Sequence, residues 1–234
     1  MKNTPEKIEF AFEGEEELAN AIRRSANEVE VFAIHELEIH KNDSVLYDEI
    51  IAHRVGLIPL KKDSVKTKEV TMKLVEKGPK TVYSGDMKGN AKVVYDKMII
   101  TKLEDGQEIE FIAKGKLGKG TEHVKYSPGL VFYRNVADIK IKDPNCEDCA
   151  SVCPLDVFDI KDGKVSVKNL ENCDMCESCI EECKKKGKDS IEIKKGKGLV
   201  FSIESYGQID APAIFEESIK TLNQNLNEVK KALK

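Results

Sequence analysis

Apolar positions change their spacing several times along the chain, and each change marks an element. Ile8, Phe10 and Phe12 alternate with Glu9, Ala11 and Glu13, which predicts a half-buried strand. Glu15, Glu16 and Glu17 precede Leu18, Ile22, Ala26 and Val29 at helical spacing, the acids standing where a helix dipole favours them. Strand character returns over 31–40, where Leu37 and Ile39 alternate with Glu36, Glu38 and His40. Asn42, Asp43 and Ser44 make a turn, and a short helix is predicted from Leu46 to Val55, closed by Gly56.

Residues 61–142 have a different character. Short β-rich runs (Val70 to Leu74, Ala91 to Tyr95, Met98 to Thr101, Ile109 to Ala113) are separated by Gly and Asp turns, which predicts a β-sheet module with a hairpin at Asp105-Gly106. The stretch from Gly115 to Thr121 superficially resembles a phosphate loop, but no Lys-Ser or Lys-Thr pair follows at the required place, so it reads as a surface loop. Leu199 to Ile203 predicts a strand, and a last helix begins near Ala211-Pro212. Along that helix Phe215, Ile219, Leu222, Leu226, Val229 and Leu233 step by 4, 3, 4, 3 and 4. Such a narrow heptad seam predicts pairing with another helix, the alternative being that it packs only on its own domain as most amphipathic helices do.

Composition excludes several classes. With 234 residues, 40% of them hydrophobic and 34% charged, the chain suits one large folded domain or two to three small ones. No window approaches the ~18 apolar residues of a membrane span, and Met1-Lys2-Asn3-Thr4-Pro5 runs into charge without an apolar signal region. A cytoplasmic protein without membrane attachment is expected. The net charge of -4 argues against a chain that holds nucleic acid by itself.

All seven cysteines lie between Cys146 and Cys183. An odd count without a disulfide-scaffold distribution, in a chain expected to be intracellular, points to metal ligation rather than bridges. Cys173, Cys176, Cys179 and Cys183 form the C-x2-C-x2-C-x3-C run of bacterial ferredoxins, and Cys146, Cys149, Cys153 and Pro154 supply the end of a second such run. Corresponding cysteines are thirty residues apart, and the step back from Cys173 lands on Asp143. In two-cluster ferredoxins the fourth Cys of each run serves the other cluster. That crossover assigns Cys153, Cys173, Cys176 and Cys179 to a complete [4Fe-4S] site. It leaves Cys146, Cys149 and Cys183 for a second site with Asp143 as possible fourth ligand, holding either [3Fe-4S] or an Asp-ligated [4Fe-4S]. A structural zinc site is the competing reading, but zinc does not need the x3-C-P step or the repeat. Val157 to Ile160 and Val165 to Val167 flank Asp162-Gly163, a hairpin signal, so residues 143–193 read as a small βαβ-type ferredoxin module.

Three further segments carry a resemblance. Leu46 to Leu60 (LYDEIIAHRVGLIPL), Thr121 to Pro128 (TEHVKYSP) and Phe201 to Gly207 (FSIESYG) running into the heptad helix are similar to the D subunit of archaeal RNA polymerase, a family related to the bacterial α-subunit N-terminal domain and the third-largest eukaryotic subunits. The resemblance spans about Ile8 to Leu233, and many archaeal members carry a ferredoxin-like insertion. It implies an α+β chain in which residues 1–60 plus 195–234 form a discontinuous dimerisation and assembly domain, 61–142 a β-rich insert and 143–193 the iron-sulfur module. It also implies pairing with the small L subunit, recruitment of subunits N and P and the two large catalytic subunits, and contact with DNA only through the complex.

No catalytic residue is expected. Polymerisation needs paired metal ions held by clustered carboxylates, and no such cluster is legible here. His53 and Arg54 are read as candidate contacts to a large subunit on the strength of the resemblance, His123 as structural, and Lys184, Lys185 and Lys186 as a solvated face. Two functions from different classes remain. One is a non-catalytic polymerase scaffold with structural or redox-sensing clusters; the alternative is a ferredoxin-type electron-transfer subunit of an oxidoreductase.

Overall fold

The computed structural model describes residues 2–65, 67 and 69–233; Met1, Lys66, Lys68 and Lys234, which fall within the expected domains, lie outside the described residues. The elements in chain order are β1 (Lys2–Asn3), β2 (Lys7–Phe12), α1 (Glu16–Ser25), β3 (Val31–Asn42), α2 (Asp48–Gly56), β4 (Glu69–Lys77), β5 (Lys80–Tyr83), β6 (Lys88–Gly89), β7 (Ile99–Leu103), β8 (Glu108–Gly118), β9 (Gly129–Ile141), α3 (Glu147–Ser151), β10 (Phe158–Lys161), β11 (Lys164–Val167), α4 (Ser178–Lys185), β12 (Ile191–Ser205) and α5 (Ala211–Ala232). This is a mixed α+β chain with strand orders β1-β2-β12-β9, β3-β8-β4-β6, β5-β7 and β10-β11. It divides into two compact units, one of Met1–Glu9, Asn20–Phe132 and Ser202–Lys234, the other of Phe10–Ala19 and Tyr133–Phe201.

In the first unit β8 is paired on both sides. It runs antiparallel to β3 from Val31↔Gly118 to Asn42↔Ile109 and to β4 from Glu69↔Lys116 to Lys77↔Glu108. Its period of two sends Ile109, Phe111 and Ala113 inward, against Val70, Met72 and Leu74 of β4. Helix α2 adds Ile51 and Val55 to this core, and the segment behind it adds Ile58 and Leu60. On the alternating positions Glu108 pairs with Lys41 (3.0 Å) and Glu110 with Lys73 (2.7 Å), solvent-exposed pairs that add little stability.

Three sequence expectations fail here, each for a physical reason. Residues 115–118 are strand, not surface loop. Their glycines serve close packing: a Cβ on Gly115 would lie 2.9 Å from the Ala33 carbonyl oxygen, and one on Gly118 would lie 2.7 Å from the Tyr126 ring. Ala91 to Tyr95 makes only the single bridge Leu60↔Val93. Hydroxyls take backbone groups that a ladder would use, the Lys92 N–H donating to Ser64 Oγ (2.9 Å) and the Tyr95 carbonyl accepting from Ser84 Oγ. Asp105-Gly106 does turn, with Gly106 at φ 74°, but β7 leaves it to pair with β5 while β8 joins β3 and β4.

Helix α5 opens with Pro212 in its first turn and buries Ala211, Ile214 and Ser218. The heptad seam lies beside that stripe and emerges progressively. Phe215, Ile219 and Leu222 are half-buried, whereas Leu226 is 58% and Val229 57% exposed, and Leu233 lies just past the helix end. Asn225 Nδ2 donates to Glu28 Oε2 (2.9 Å) and Lys62 pairs with Glu217 (2.9 Å), fixing the helix to its own unit.

In the second unit the cysteines sit within small apolar clusters. Ile191 gathers with Cys146, Cys149, Cys179 and Cys183, and Ala137 and Val157 gather with Cys173. Phe10, Phe12 and Tyr133 surround Phe201 with centroids 5.7, 5.9 and 6.4 Å away. The hairpin expected at Asp162-Gly163 forms, β10 and β11 closing at Lys161↔Lys164 with both loop residues at positive φ.

Replacing Phe111 by Ala should cost about 3–5 kcal/mol by urea denaturation, and Gly118→Ala about 1–3 kcal/mol. A third outcome concerns Asp86. Burial opposes its ionisation, but the Tyr83 N–H (2.8 Å) and Lys80 (3.0 Å) outweigh that and hold its carboxyl below the usual carboxylate range. A depressed folded pKa stabilises above the unfolded value of about 3.9 and ceases to do so as pH falls through the folded one. The stability difference between wild type and Asp86→Asn should therefore be constant near neutrality and shrink as pH falls below about 4.

Candidate metal centre and surface groove

The two cysteine runs each meet a short helix. Cys146 precedes α3, which carries Cys149, and α4 carries Cys179 and Cys183. The Cys146, Cys149 and Cys183 sulfurs lie within 4.8 Å of one another, all buried, with Cys183 Sγ 3.8 Å from Cys146 Sγ. Three soft donors so placed can hold a metal ion. The structure joins Cys146 to Cys149 as a disulfide, with Cα atoms 5.5 Å apart, where sequence spacing pointed to ligation rather than bridges. A C-x2-C pair on one helical turn presents both sulfurs to the same space, and that convergence serves a shared ion or a direct bond alike. Asp143 is half-buried, and its carboxylate accepts the Asn145 N–H (3.0 Å).

Cys153, Cys173, Cys176 and Cys179 line one hollow with Leu155, Val157, Phe158 and Ile193. Burial pushes the Cys179 thiol up to about 11, and the negative charges that Cys153 and Cys173 would carry push the same way against the Ile180 N–H. Burial also raises Cys173, with Asp174, Cys153 and Cys176 adding to it and the Met175 N–H opposing. A cation in this hollow would relieve both the desolvation and the repulsion at Cys173 and Cys179. The intervening loop turns through Met175 at φ 58° and Glu177 at φ 61°, while the Cys176 N–H is held by Asp174 Oδ1 (3.1 Å).

Charged neighbours of these thiols do structural work. Lys186, read from sequence as part of a solvated face, reaches Asp148 on α3 (2.6 Å) and Glu182 on its own helix (3.8 Å). It thereby ties the helix of Cys149 to the helix of Cys183. Arg134 of β9, which nothing in the sequence singles out, donates to the backbone carbonyls of Cys173 (3.2 Å) and Glu171.

In the first unit the three segments that carry the resemblance come together around a second feature. Leu57 and Pro59 from behind α2, Val124 and Lys125, and Tyr206 and Gln208 line an open groove of about 360 Å³ with Tyr95 and Met98. Val124 is 65% and Tyr95 51% exposed there, and the buried Gln208 Oε1 has no hydrogen-bond partner among the described residues. His123 is structural, as expected, its Nδ1 accepting the Lys125 N–H (3.1 Å). Arg54 donates to the Ile100 carbonyl (2.7 Å), which anchors α2 to β7, while His53 is exposed.

A family model described as the RNA polymerase Rpb3/RpoA insert domain matches residues 29–132. The DNA-directed RNA polymerase subunit Rpo3 of Methanobrevibacter smithii is 32% identical over 88% of this chain and 86% of its own length. That of Thermococcus kodakarensis is 32% identical over 95% of this chain and 92% of its own. The chain belongs to the Rpo3 family. The Rpo3 of Methanothermobacter thermautotrophicus, at 35% identity over 90% of this chain, agrees. The matched insert domain contains the β3-β8-β4-β6 sheet, and all seven cysteines of this Rpo3-family chain lie beyond it. No helix among the described residues is long and apolar enough to cross a membrane.

In a Cys176→Ser background, which breaks the second thiol set, the reduced full chain titrated with Co2+ should show thiolate-to-metal charge-transfer absorption. Adding Cys183→Ser should weaken that binding by at least about tenfold, since even loss of an outer-shell partner costs 10–100-fold.

Proposed function

We propose that this chain is a non-catalytic assembly subunit of DNA-directed RNA polymerase, acting in transcription. Its match to polymerase subunits named Rpo3 along nearly its whole length carries the reading. In it, residues 1–60 with 195–234 form the assembly domain, 61–142 the β-rich insert and 143–193 the cluster module. The α5 seam pairs with the small L subunit, and the platform then recruits subunits N and P and the two large catalytic subunits. Support comes from the division of α5 into a buried stripe and an emergent seam.

Cys153, Cys173, Cys176 and Cys179 are assigned to a [4Fe-4S] cluster. Cys146, Cys149 and Cys183, with Asp143 as possible fourth ligand, are assigned to a [3Fe-4S] or Asp-ligated [4Fe-4S] cluster. Two sets of convergent thiols on short helices and an irregular loop support this, because ligand bonds can tie such segments together. When bound, such clusters supply those cross-links, and oxidation or loss of iron removes them. The electron-transfer alternative is not favoured, since the polymerase relatives match beyond the cysteine segment.

Anaerobic affinity purification of the tagged chain from its native host should recover the large polymerase subunits and a small helix-pairing partner. Leu226→Asp with Val229→Asp changes exposed positions, so it should leave the chain folded and abolish recovery of the small partner. Cys173→Ser with Cys176→Ser should lower iron content from about seven or eight atoms per chain toward half and reduce polymerase assembly. Recovery of a redox enzyme in place of polymerase subunits would overturn the reading.

A further inference from the structure

Cys173 opens the loop that carries two of the four thiols of the complete site, Cys173 and Cys176, and leads to the third, Cys179 on α4; that loop has no regular backbone structure to hold it. Residues 173–177 belong to no helix or strand, and they turn through the left-handed residues Met175 and Glu177 before α4 begins at Ser178. Its exit is fixed by α4. Its entry follows a short 3-10 turn, Leu170–Asn172, and the last carbonyls of such a turn lack donors of their own. One guanidinium supplies them. Arg134 Nη1 donates to the Cys173 carbonyl (3.2 Å) and Nη2 to that of Glu171. The same segment is tied to the chain behind Cys153, through Asn169 Nδ2 to the Asp156 carbonyl (2.9 Å) and Asn172 Nδ2 to the Leu155 carbonyl (3.3 Å). Three residues along β9, Ala137 packs against Cys173 itself.

We infer that Arg134 is a positioning residue for the Cys153, Cys173, Cys176 and Cys179 site: it fixes the backbone from which Cys173 projects and so governs how firmly a bound cluster keeps its iron. The inference rests on the iron-sulfur reading above and deepens it. A planar fork with several donors suits two carbonyls at the end of one turn, and a lysine, whose charge is a single flexible point, cannot hold both in register. Residues that orient metal ligands from behind typically change affinity by 10–100-fold when removed.

The test uses the full chain with Cys183→Ser, which leaves the Cys153, Cys173, Cys176 and Cys179 set intact, loaded with iron and sulfide anaerobically. Loss of cluster absorption to a ferrous chelator is followed in this parent, in Arg134→Ala, in Arg134→Lys and in Lys161→Ala, which removes only an exposed ion pair with Asp159 in the same unit. Arg134→Ala should release iron about tenfold to a hundredfold faster than the parent. Arg134→Lys should remain faster than the parent, and it supplies the comparison if the alanine variant does not fold. Lys161→Ala should match the parent. Equal release from parent and Arg134→Ala, full restoration by lysine, or equal acceleration by Lys161→Ala would each overturn the positioning role alone. A parent that takes up no iron would overturn the iron-sulfur reading itself, and this inference with it.

Discussion

Strand β8 must be bulky along its first half and narrow toward its end, and the first unit is arranged around that demand. Because both of its edges are paired, its side chains have only the two sheet faces to occupy. Phe111 fills the inward face, and α2 with Ile58 and Leu60 closes over the same core. Gly115 and Gly118 leave room where Ala33, Val70 and Tyr126 approach. The groove residues Leu57 and Pro59 follow directly from α2, and Val124 and Lys125 flank the Tyr126 that rests on Gly118. The groove is thus held in place by packing several residues behind it.

Legibility in the sequence followed how local each determinant is. The Asp162-Gly163 hairpin and the start of α5 are set by neighbours within a few residues, and each forms at the expected place. The short apolar run at Ala91–Tyr95 failed because hydroxyls from Ser64 and Ser84, distant in sequence, claim its backbone groups. Glycines near position 115 looked like turn punctuation, since nothing in the local pattern distinguishes a glycine needed for φ from one needed for close approach. Arg134 was invisible for the same reason. Its partner Cys173 is 39 residues away, and an arginine in a strand carries no local mark of a task.

Helix α5 shows how one amphipathic element can serve two masters without a change of sequence style. Its buried stripe and its heptad seam are offset around the axis, so the near end belongs to the unit while the far end offers Leu226 and Val229. Long-range ties at Lys62–Glu217 and Asn225–Glu28 hold the helix to the unit up to the point where its seam becomes exposed.

The strand order β1-β2-β12-β9 also has a consequence in time. A chain made from its N-terminus can close the β3-β8-β4 sheet once Gly118 has emerged, because every strand of it has by then been synthesised. Strand β2 can pair with β1 at once, but its other partner β12 is complete only 87 residues after Gly118, at Ser205. The cysteine runs are therefore synthesised while that gap is still open. Helix α5 emerges last, after the sheet before it has all its strands.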